Sequence, residues 1–424
     1  MKKIIFIFVI INILAINCGN NDQDSINSGF LEKKVWYNNL ETALSESHKV
    51  FKLALINKKL NNSLQQIGKL NELRQLHLWN NELLELPSEI AKLTKLRVLW
   101  INKNPLTTLN SEIGKLHLLV ELWLENNNIA KLPKEIGLLS KLEWLYIANN
   151  RLTHLPEEFG NLNNLTHLNL TNNQLTILPS GIGKFNKVKI IKLNNNRLTA
   201  LPSEIGDLKS LVKLYLSHNQ IVELPANIGK LKELQELFME DCKLKNLPKE
   251  IGQLSKLDIL NISKNELASL PVEISGLNQL VNLHLSGNKL INIPSEIGKL
   301  KSLNHLDLSN NKLINLPNEI ANLNKLVYLD LSNNKLTKIP SDIGNLNNLE
   351  TINLNNNQLK YIPKEITKLK NLKKLYLSNN MITELPKEIN KLDNLHELHL
   401  LGNAFTQVEK EKIKKLLPKC EIKF

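Results

Sequence analysis

The sequence predicts one elongated α/β solenoid, in which a parallel β-sheet lines the concave side, short helical or 3₁₀ segments line the convex side, and a cap closes each end. Two observations predict this architecture. Asparagine returns every 23 residues along most of the 424-residue chain, with leucines in a fixed frame around it. Aromatic residues make up only 5% of the chain, so the apolar material is aliphatic, as a regular stacked core requires.

The first 17 residues have the layout of a secretory signal. Two lysines precede an apolar run from Ile4 to Ile16, which is broken by Asn12 and is shorter than the ~20 residues needed to span a bilayer. We therefore predict that residues 1–17 are a signal peptide and that the chain is secreted across the inner membrane.

Cys18 follows the signal in a segment that resembles a bacterial lipobox, whose cysteine is diacylated and becomes the mature N-terminus. Ala15 and Cys18 fit that pattern, whereas Asn17 departs from the usual Gly or Ala. The resemblance implies a lipid membrane anchor at Cys18 in the cell envelope, with the outer membrane or cell surface favoured. Residues 18–34 then form a flexible tether. An ordinary signal with an incidental cysteine stays open.

Residues 35–72 are predicted to form an N-terminal cap, because an open stack would expose its apolar end. The segment is a degenerate repeat in which Lys58 replaces the asparagine, and a helix from about Leu40 to His48 precedes it. We expect Trp36 to pack within this cap.

Fifteen registers of the 23-residue frame fill residues 73–408. Asparagine occupies fourteen of the frame positions and a cysteine occupies one. In chain order these positions are Asn81, Asn104, Asn127, Asn150, Asn173, Asn196, Asn219, Cys242, Asn265, Asn288, Asn311, Asn334, Asn357, Asn380 and Asn403. We expect Cys242 to be a buried structural thiol.

The frame predicts the structure of each repeat. Leu168 and Leu170 alternate with polar residues, which indicates a strand with one buried face. A bend follows, where the amide of Asn173 can satisfy backbone groups that would otherwise be buried unpaired. Pro179 then prevents strand continuation, and Ile182 returns the chain along the convex side in a short helical turn. In the second repeat Asn110 replaces this proline, which predicts a differently shaped turn there.

The repeated frame resembles the leucine-rich repeat, in the 23-residue class whose Leu-Pro-x-x-Ile-Gly segment is similar to intracellular Ras-group and plant-type repeats. With its signal and lipobox, the chain resembles the leucine-rich-repeat lipoproteins of spirochaetes. The resemblance implies a right-handed horseshoe and a binding function, without naming a ligand.

Residues 409–424 are predicted to form a C-terminal cap. A lysine-rich segment from Val408 to Leu417 has apolar residues on one side and indicates a helix. Cys420, Ile422 and Phe424 then alternate as a final strand.

No catalytic motif is present in the sequence. There is no phosphate-binding loop, HExxH or CxxC. His396 and His399 are three apart on a predicted strand and cannot share a face, so they do not make a metal site. We therefore predict a non-enzymatic protein with no cofactor, no metal and no small-molecule substrate.

The outward strand positions carry the predicted binding site. Four of the five tryptophans, with one tyrosine, fall on four successive strands, and a second aromatic pair lies further along the sheet. The predicted ligand-binding residues are Trp79, Trp100, Trp123, Trp144, Tyr146, His77, Tyr215 and Phe238. Neighbouring strands are a few ångströms apart, so the first group can form one exposed aromatic patch.

Two interpretations of this patch compete. The rings could merely cover the sheet, since cross-strand aromatic pairs contribute ~0.2–1 kcal/mol each. We favour binding, because Trp and Tyr offer a large contact area at little entropic cost. A protein partner, which could be a host extracellular protein, is the first hypothesis. A carbohydrate or glycosaminoglycan-binding adhesin and a structural envelope protein without a ligand stay open.

The formal net charge of +13 permits binding to nucleic acid, but the lysines argue against it. Many lie in convex Ile-Gly-Lys-Leu segments and in the C-terminal helix, so they are spread around the outside of the solenoid. A secreted protein also has little access to nucleic acid, so we predict no nucleic-acid partner.

Overall fold

The computed structural model describes residues 33–61 and 63–424. The predicted signal peptide, Cys18 and almost all of the predicted tether therefore lie outside the described residues. Within the described ranges, no helix has the length and apolar character needed to cross a membrane.

The described chain forms one open sheet of eighteen short strands, each paired in parallel with the next in sequence, which confirms the predicted solenoid horseshoe. Residues that pair on adjacent repeat strands hold the same position in consecutive repeats, as Lys213 and Glu236 do. The strands are β1 Trp36–Tyr37, β2 Lys52–Ala54, β3 Gln75–His77, β4 Val98–Trp100, β5 Glu121–Trp123, β6 Trp144–Tyr146, β7 His167–Asn169, β8 Ile190–Lys192, β9 Lys213–Tyr215, β10 Glu236–Phe238, β11 Ile259–Asn261, β12 Asn282–His284, β13 His305–Asp307, β14 Tyr328–Asp330, β15 Thr351–Asn353, β16 Lys374–Tyr376, β17 Glu397–His399 and β18 Glu421–Lys423.

A 3₁₀ segment follows each strand from β2 to β16 on the convex side. The residue before each five-residue segment is extended, as at Pro179 with φ −66° and ψ 149°, because proline fixes φ in this range. The 3₁₀ segments are Ser47–Lys49, Ile67–Lys69, Ser88–Lys92, Ser111–Lys115, Lys134–Leu138, Glu157–Asn161, Ser180–Lys184, Ser203–Asp207, Ala226–Lys230, Lys249–Gln253, Val272–Gly276, Ser295–Lys299, Asn318–Asn322, Ser341–Asn345, Lys364–Lys368 and Ile389–Lys391.

In the described residues, two α-helices stand near the ends of the stack. Helix α1, Leu40–Ser45, begins at Asn39, whose side chain accepts a hydrogen bond from the Thr42 N–H. It is shorter than predicted, because the chain tightens into a 3₁₀ turn at Ser47–Lys49. Helix α2, Gln407–Leu416, buries Ile413 against the last repeat and is followed by β18.

The core is a single aliphatic column that runs the length of the stack. Leucines at the strand positions and isoleucines at the turn positions are buried, as Leu168, Leu170 and Ile182 show with exposed fractions of 1%, 0% and 0%. Each repeat buries these side chains against its neighbours, so stability resides in the interfaces between repeats.

The asparagines form a buried hydrogen-bonded ladder behind the sheet. The Asn196 amide donates to the carbonyl oxygens of Leu170 and Leu193, both at 3.0 Å. Its carbonyl oxygen accepts from the Leu175 N–H at 3.0 Å. Each asparagine therefore joins its own bend to that of the preceding repeat.

Cys242 occupies the same rung and is a free, buried thiol, as predicted. Its Sγ donates to the Leu216 carbonyl oxygen at 3.4 Å. Burial raises the pKa of this thiol to about 11, so it stays protonated and inert at neutral pH.

The expectation of a differently shaped turn at Asn110 is wrong. Asn110 adopts φ −72° and ψ 161°, close to the values at Pro179, and the 3₁₀ segment that follows has the usual length. Its side-chain amide donates to the Leu86 carbonyl oxygen at 2.8 Å, so a hydrogen bond holds the turn that proline holds elsewhere.

We predict that Asn196→Ala lowers the local free energy of opening around β8 and β9 by about 1–3 kcal/mol, because it leaves the buried Leu175 N–H without its acceptor and removes one of two donors from the Leu170 and Leu193 carbonyl oxygens. Amide hydrogen exchange in these strands measures the loss. Asn315→Ala is the control, since Asn315 is exposed. Equal exchange in both variants would contradict the role of the ladder.

Candidate functional site

Seven rings form one continuous line across the concave face, from β1 to β7. We name this line the aromatic row, and in contact order it consists of Trp36, His77, Trp100, Trp123, Tyr146, Trp144 and His167. Successive ring centroids lie 4.6, 4.1, 4.6, 4.9, 6.1 and 3.9 Å apart. The closest contacts are stacked, with interplanar angles of 2° for His77 on Trp100 and 8° for Trp144 on His167.

Sheet geometry explains the stacking. Residues in register on adjacent strands are about 4.8 Å apart. His77, Trp100, Trp123 and Tyr146 occupy the same strand position on β3 to β6. The rings of His77, Trp100 and Trp123 therefore stack at a distance that the backbone sets, and the Tyr146 ring is tilted by 54° to that of Trp123.

The structure brings together five of the predicted site residues, but less of their surface is exposed than predicted. Trp100, Trp123, Trp144 and Tyr146 are half-buried, and His77 is buried at 6% exposure. The rings cover one another, so the partner-accessible surface is a strip of ring edges and outer faces. Trp79 lies beyond the end of β3 and makes no ring contact with the row in the described residues. The Lys103 ammonium lies 5.1 Å from its ring centroid.

Trp36 belongs to the aromatic row, which the sequence pattern does not indicate. We expected Trp36 to pack within the cap, but β1 extends the sheet by one strand and pairs with β2, so its ring lies 4.6 Å from His77. The strand β1 has only two residues and carries no repeat pattern. Leucine periodicity could not reveal it.

Among the described residues, the indole nitrogens of Trp79 and Trp123 are shielded from solvent and have no hydrogen-bond partner, whereas the shielded indole of Trp100 has the Glu121 carboxylate beside it. A buried unpaired donor costs roughly 1–3 kcal/mol. The aromatic row therefore contains one donor, that of Trp123, whose placement does not serve the stability of the free protein.

Burial keeps the histidines of the row neutral. It lowers the pKa of His77 to about 3, and the nearby Lys52 ammonium adds to the effect. Burial also lowers the pKa of His167, with help from Lys189 and Lys192. Both rings therefore stack as uncharged imidazoles at neutral pH.

Carboxylates lie among these rings. Burial raises the pKa of Glu121; the neighbouring Glu143 adds to the shift, and the Trp100 indole opposes it. Burial also raises the pKa of Glu125, which accepts a hydrogen bond from the Asn169 amide at 3.1 Å. The middle of the aromatic row is therefore acidic, although the whole chain is basic.

The second predicted patch, Tyr215 and Phe238, is present as a stacked pair with centroids 5.1 Å apart. Polar groups tie it into the sheet. The Tyr215 hydroxyl donates to Glu236 at 2.6 Å, and the Lys213 ammonium pairs with Glu236 at 2.7 Å. Burial alone would raise the pKa of Glu236, but these hydrogen bonds outweigh it and lower the pKa.

The far end of the concave face is polar. His305 stacks on Tyr328 at 4.3 Å, and the Tyr328 hydroxyl donates to Asp330 at 3.0 Å. His284 lies 4.9 Å from His305. Across the described residues, no three metal-ligating side chains converge.

The chain belongs to the leucine-rich-repeat family. The family model for a leucine-rich repeat region matches residues 110–190, 237–312, 283–352 and 315–418, which together exceed half of the chain. A model of the single leucine-rich repeat matches residues 210–231. No curated protein matches the chain.

Solved structures show the same fold. A leucine-rich-repeat protein of Leptospira interrogans is 43% identical, with a TM-score of 0.79 over 92% of this chain and 100% of that chain. The plant peptide hormone receptor RGFR1, solved in complex with RGF2, is 34% identical, with a TM-score of 0.72 over 88% of this chain and 61% of that chain. An internalin of Listeria monocytogenes, at 23% identity and a TM-score of 0.62 over 73% of this chain and 87% of that chain, shares the fold alone.

We predict that Glu121→Gln stabilises the protein at neutral pH. The folded-state pKa of Glu121 is raised, so its charged form opposes folding above that pKa. The gain should shrink as the pH falls through the folded-state pKa and vanish below the ordinary value of 4.5, where both states are protonated. Urea unfolding from neutral to acid pH measures it.

Glu236→Gln is the matched control, since Glu236 holds the same strand position with a lowered pKa. It should destabilise the protein at neutral pH, and that loss should also disappear in acid. Stability changes of the same sign in both variants would contradict the assignment.

Proposed function

We propose that the protein is a non-enzymatic binding protein whose concave face binds a protein partner, with the aromatic row as the anchor. The observation that carries the proposal is the continuous line of seven rings from six strands, three of whose six contacts are stacked and three tilted. Stacked rings hold their rotamers, so a partner would meet a preorganised apolar surface at low entropic cost. Trp79 would contact the partner at the rim, and Tyr215 with Phe238 would extend the surface.

Stability alone is a poor explanation of the row. Stacking contributes about 0.5–1.5 kcal/mol per pair beyond burial, but among the described residues the Trp123 indole donor has no hydrogen-bond partner and the Glu121 carboxylate is desolvated beside the rings. A surface selected only to cover the sheet would avoid these groups. The plant receptor RGFR1, which shares the fold, was solved in complex with RGF2, and this supports a protein partner.

The acidic middle of the aromatic row disfavours the alternative of a sulfated glycan. Glu121, Glu125 and Glu143 lie beside the rings on which a sugar would stack, and they would repel sulfates. A protein partner, such as a host extracellular protein, is therefore our proposal.

We further propose that the chain is a lipoprotein of the spirochaete type in the 23-residue repeat class, anchored through Cys18 in the cell envelope. The identity of 43% to a Leptospira interrogans leucine-rich-repeat protein supports the spirochaete resemblance. In this proposal the tether ends at residue 34, caps at 35–72 and 409–424 flank the repeats at 73–408, and the concave face is free to meet a partner.

We predict that the double variant Trp100→Ala, Trp123→Ala weakens partner binding by about 2–4 kcal/mol, since central aromatic anchors dominate interface energies. Host extracellular fluids would be passed over the immobilised protein, and the dissociation constant of each captured protein would then be measured. His305→Ala, Tyr328→Ala is the control, because it removes an equally close stack from the same face outside the row. Equal affinities of the wild type and the Trp100, Trp123 variant, both folded, would contradict the proposal.

For the anchor, we predict that the wild-type protein incorporates a labelled fatty acid in a bacterial host and that Cys18→Ala abolishes the label. Cys420→Ser should keep it, because Cys420 lies at the opposite end of the chain. A wild type without label would overturn the lipid anchor and leave the proposed binding surface unaffected.

A further inference from the structure

Glu121 lies beside the aromatic row, and three of the row's tryptophans occupy neighbouring positions on the sheet. It faces Trp144 directly across the β5–β6 pairing. Trp123 lies two residues further along the same strand and face, and Trp100 lies in register with Trp123 on β4. The carboxylate is half-buried, and the Trp100 indole interacts with its charged form.

The repeats supply two internal comparisons for this carboxylate. Glu236 and Glu397 hold the same strand position on β10 and β17. Each pairs with a lysine in register on the preceding strand, Lys213 at 2.7 Å and Lys374 at 3.1 Å.

Each of the two also accepts a hydrogen bond from a tyrosine hydroxyl of the preceding strand. Tyr215 donates to Glu236 at 2.6 Å, and Tyr376 donates to Glu397 at 3.0 Å. At this strand position, a lysine and a tyrosine of the preceding strand therefore supply the ion pair and the hydrogen bond that the glutamate carboxylate needs.

Glu121 keeps one of these two partners and lacks the other. Trp100 stands where the tyrosine would be, and its indole N–H takes the place of the hydroxyl. Val98 stands where the lysine would be, and it is 9% exposed. The charged side chain that shifts the pKa of Glu121 is Glu143, which has the same sign and raises it.

We propose that Glu121, Trp100, Trp123 and Trp144 form a pocket for a positively charged side chain, an arginine or a lysine, of the protein partner. A cation at this point replaces the lysine that the sheet supplies at Glu236 and Glu397. His167 covers one face of the Trp144 indole, and the opposite face is the one towards β5 and Glu121, where it can attract a cation more strongly as water is excluded. A planar guanidinium also matches the carboxylate with two parallel hydrogen bonds. The inference rests on the proposed binding of a protein at the aromatic row.

The test uses random peptides as probes, so the natural partner need not be identified first. A library of random linear peptides is panned on the immobilised wild-type protein, and peptides that also bind the Trp100→Ala, Trp123→Ala variant are removed. We expect the surviving peptides to share an arginine or a lysine. Their dissociation constants should rise about tenfold or more on Glu121→Gln.

A double-mutant cycle then places the cation on Glu121. Replacement of the shared cation by a neutral analogue, citrulline for arginine or acetyl-lysine for lysine, should cost the wild type at least as much as Glu121→Gln does, and it should cost the Glu121→Gln variant clearly less than it costs the wild type. Glu233→Gln is the control, since Glu233 carries its own partner, Lys256 at 2.7 Å, away from the row. This control should leave affinities unchanged.

Two results would overturn the inference and leave the proposed function standing. Tryptophan-dependent peptides could share no cation, or their affinity could be insensitive to Glu121→Gln. Tryptophan-dependent binding of heparin fragments that Glu121→Gln strengthens would instead point to an anionic ligand, and it would overturn both proposals. Failure to recover any tryptophan-dependent peptide would contradict the aromatic row as a protein-binding surface.

Discussion

The structure depends on one buried hydrogen-bonding group per repeat, the side-chain amide behind each strand. A parallel strand that ends in a tight bend leaves N–H and C=O groups inside an aliphatic core, where no water reaches them. The amide of Asn196 satisfies groups of two consecutive repeats at once, so bends can stack without a break. Cys242 keeps the donor function but offers a weaker acceptor, and the stack continues across it.

Because the ladder fixes the register, it also determines what the concave face can do. Residues with the same place in the frame stand side by side across the sheet, as Trp100 and Trp123 do. The stacking of the aromatic row follows from this register and from the ring types, without any further structural device. The repeat pattern does not determine the acidic residues beside the aromatic row, since side chains at the outward positions contribute little to the core.

Most of the fold could be predicted from the sequence because the same signal recurs fifteen times. The strands, the ladder, the convex turns and the helix near Gln407 all follow from the frame. The first strand could not be predicted, since Trp36 and Tyr37 carry no repeat pattern and their pairing depends on the cap. The turn at Asn110 was wrongly predicted because a side-chain hydrogen bond substitutes there for a fixed φ.

The extent of ring burial depended on side-chain packing, which the periodic pattern does not encode. The missing lysine partner of Glu121 was visible in the sequence as Val98, but its meaning required the observed pairs at Glu236 and Glu397.

The register of 23 residues also constrains how such a surface can change over evolutionary time. An insertion or deletion of another length within a strand or its bend would place that bend out of line with the ladder and leave buried amides unpaired. Gain or loss of a complete unit keeps every rung intact and moves a whole strand of outward residues at once. Recombination between repeats can therefore lengthen, shorten or rejoin the concave face while the core stays continuous. A new combination of aromatic and charged columns can arise in one genetic event, and selection then acts on a surface that is already folded.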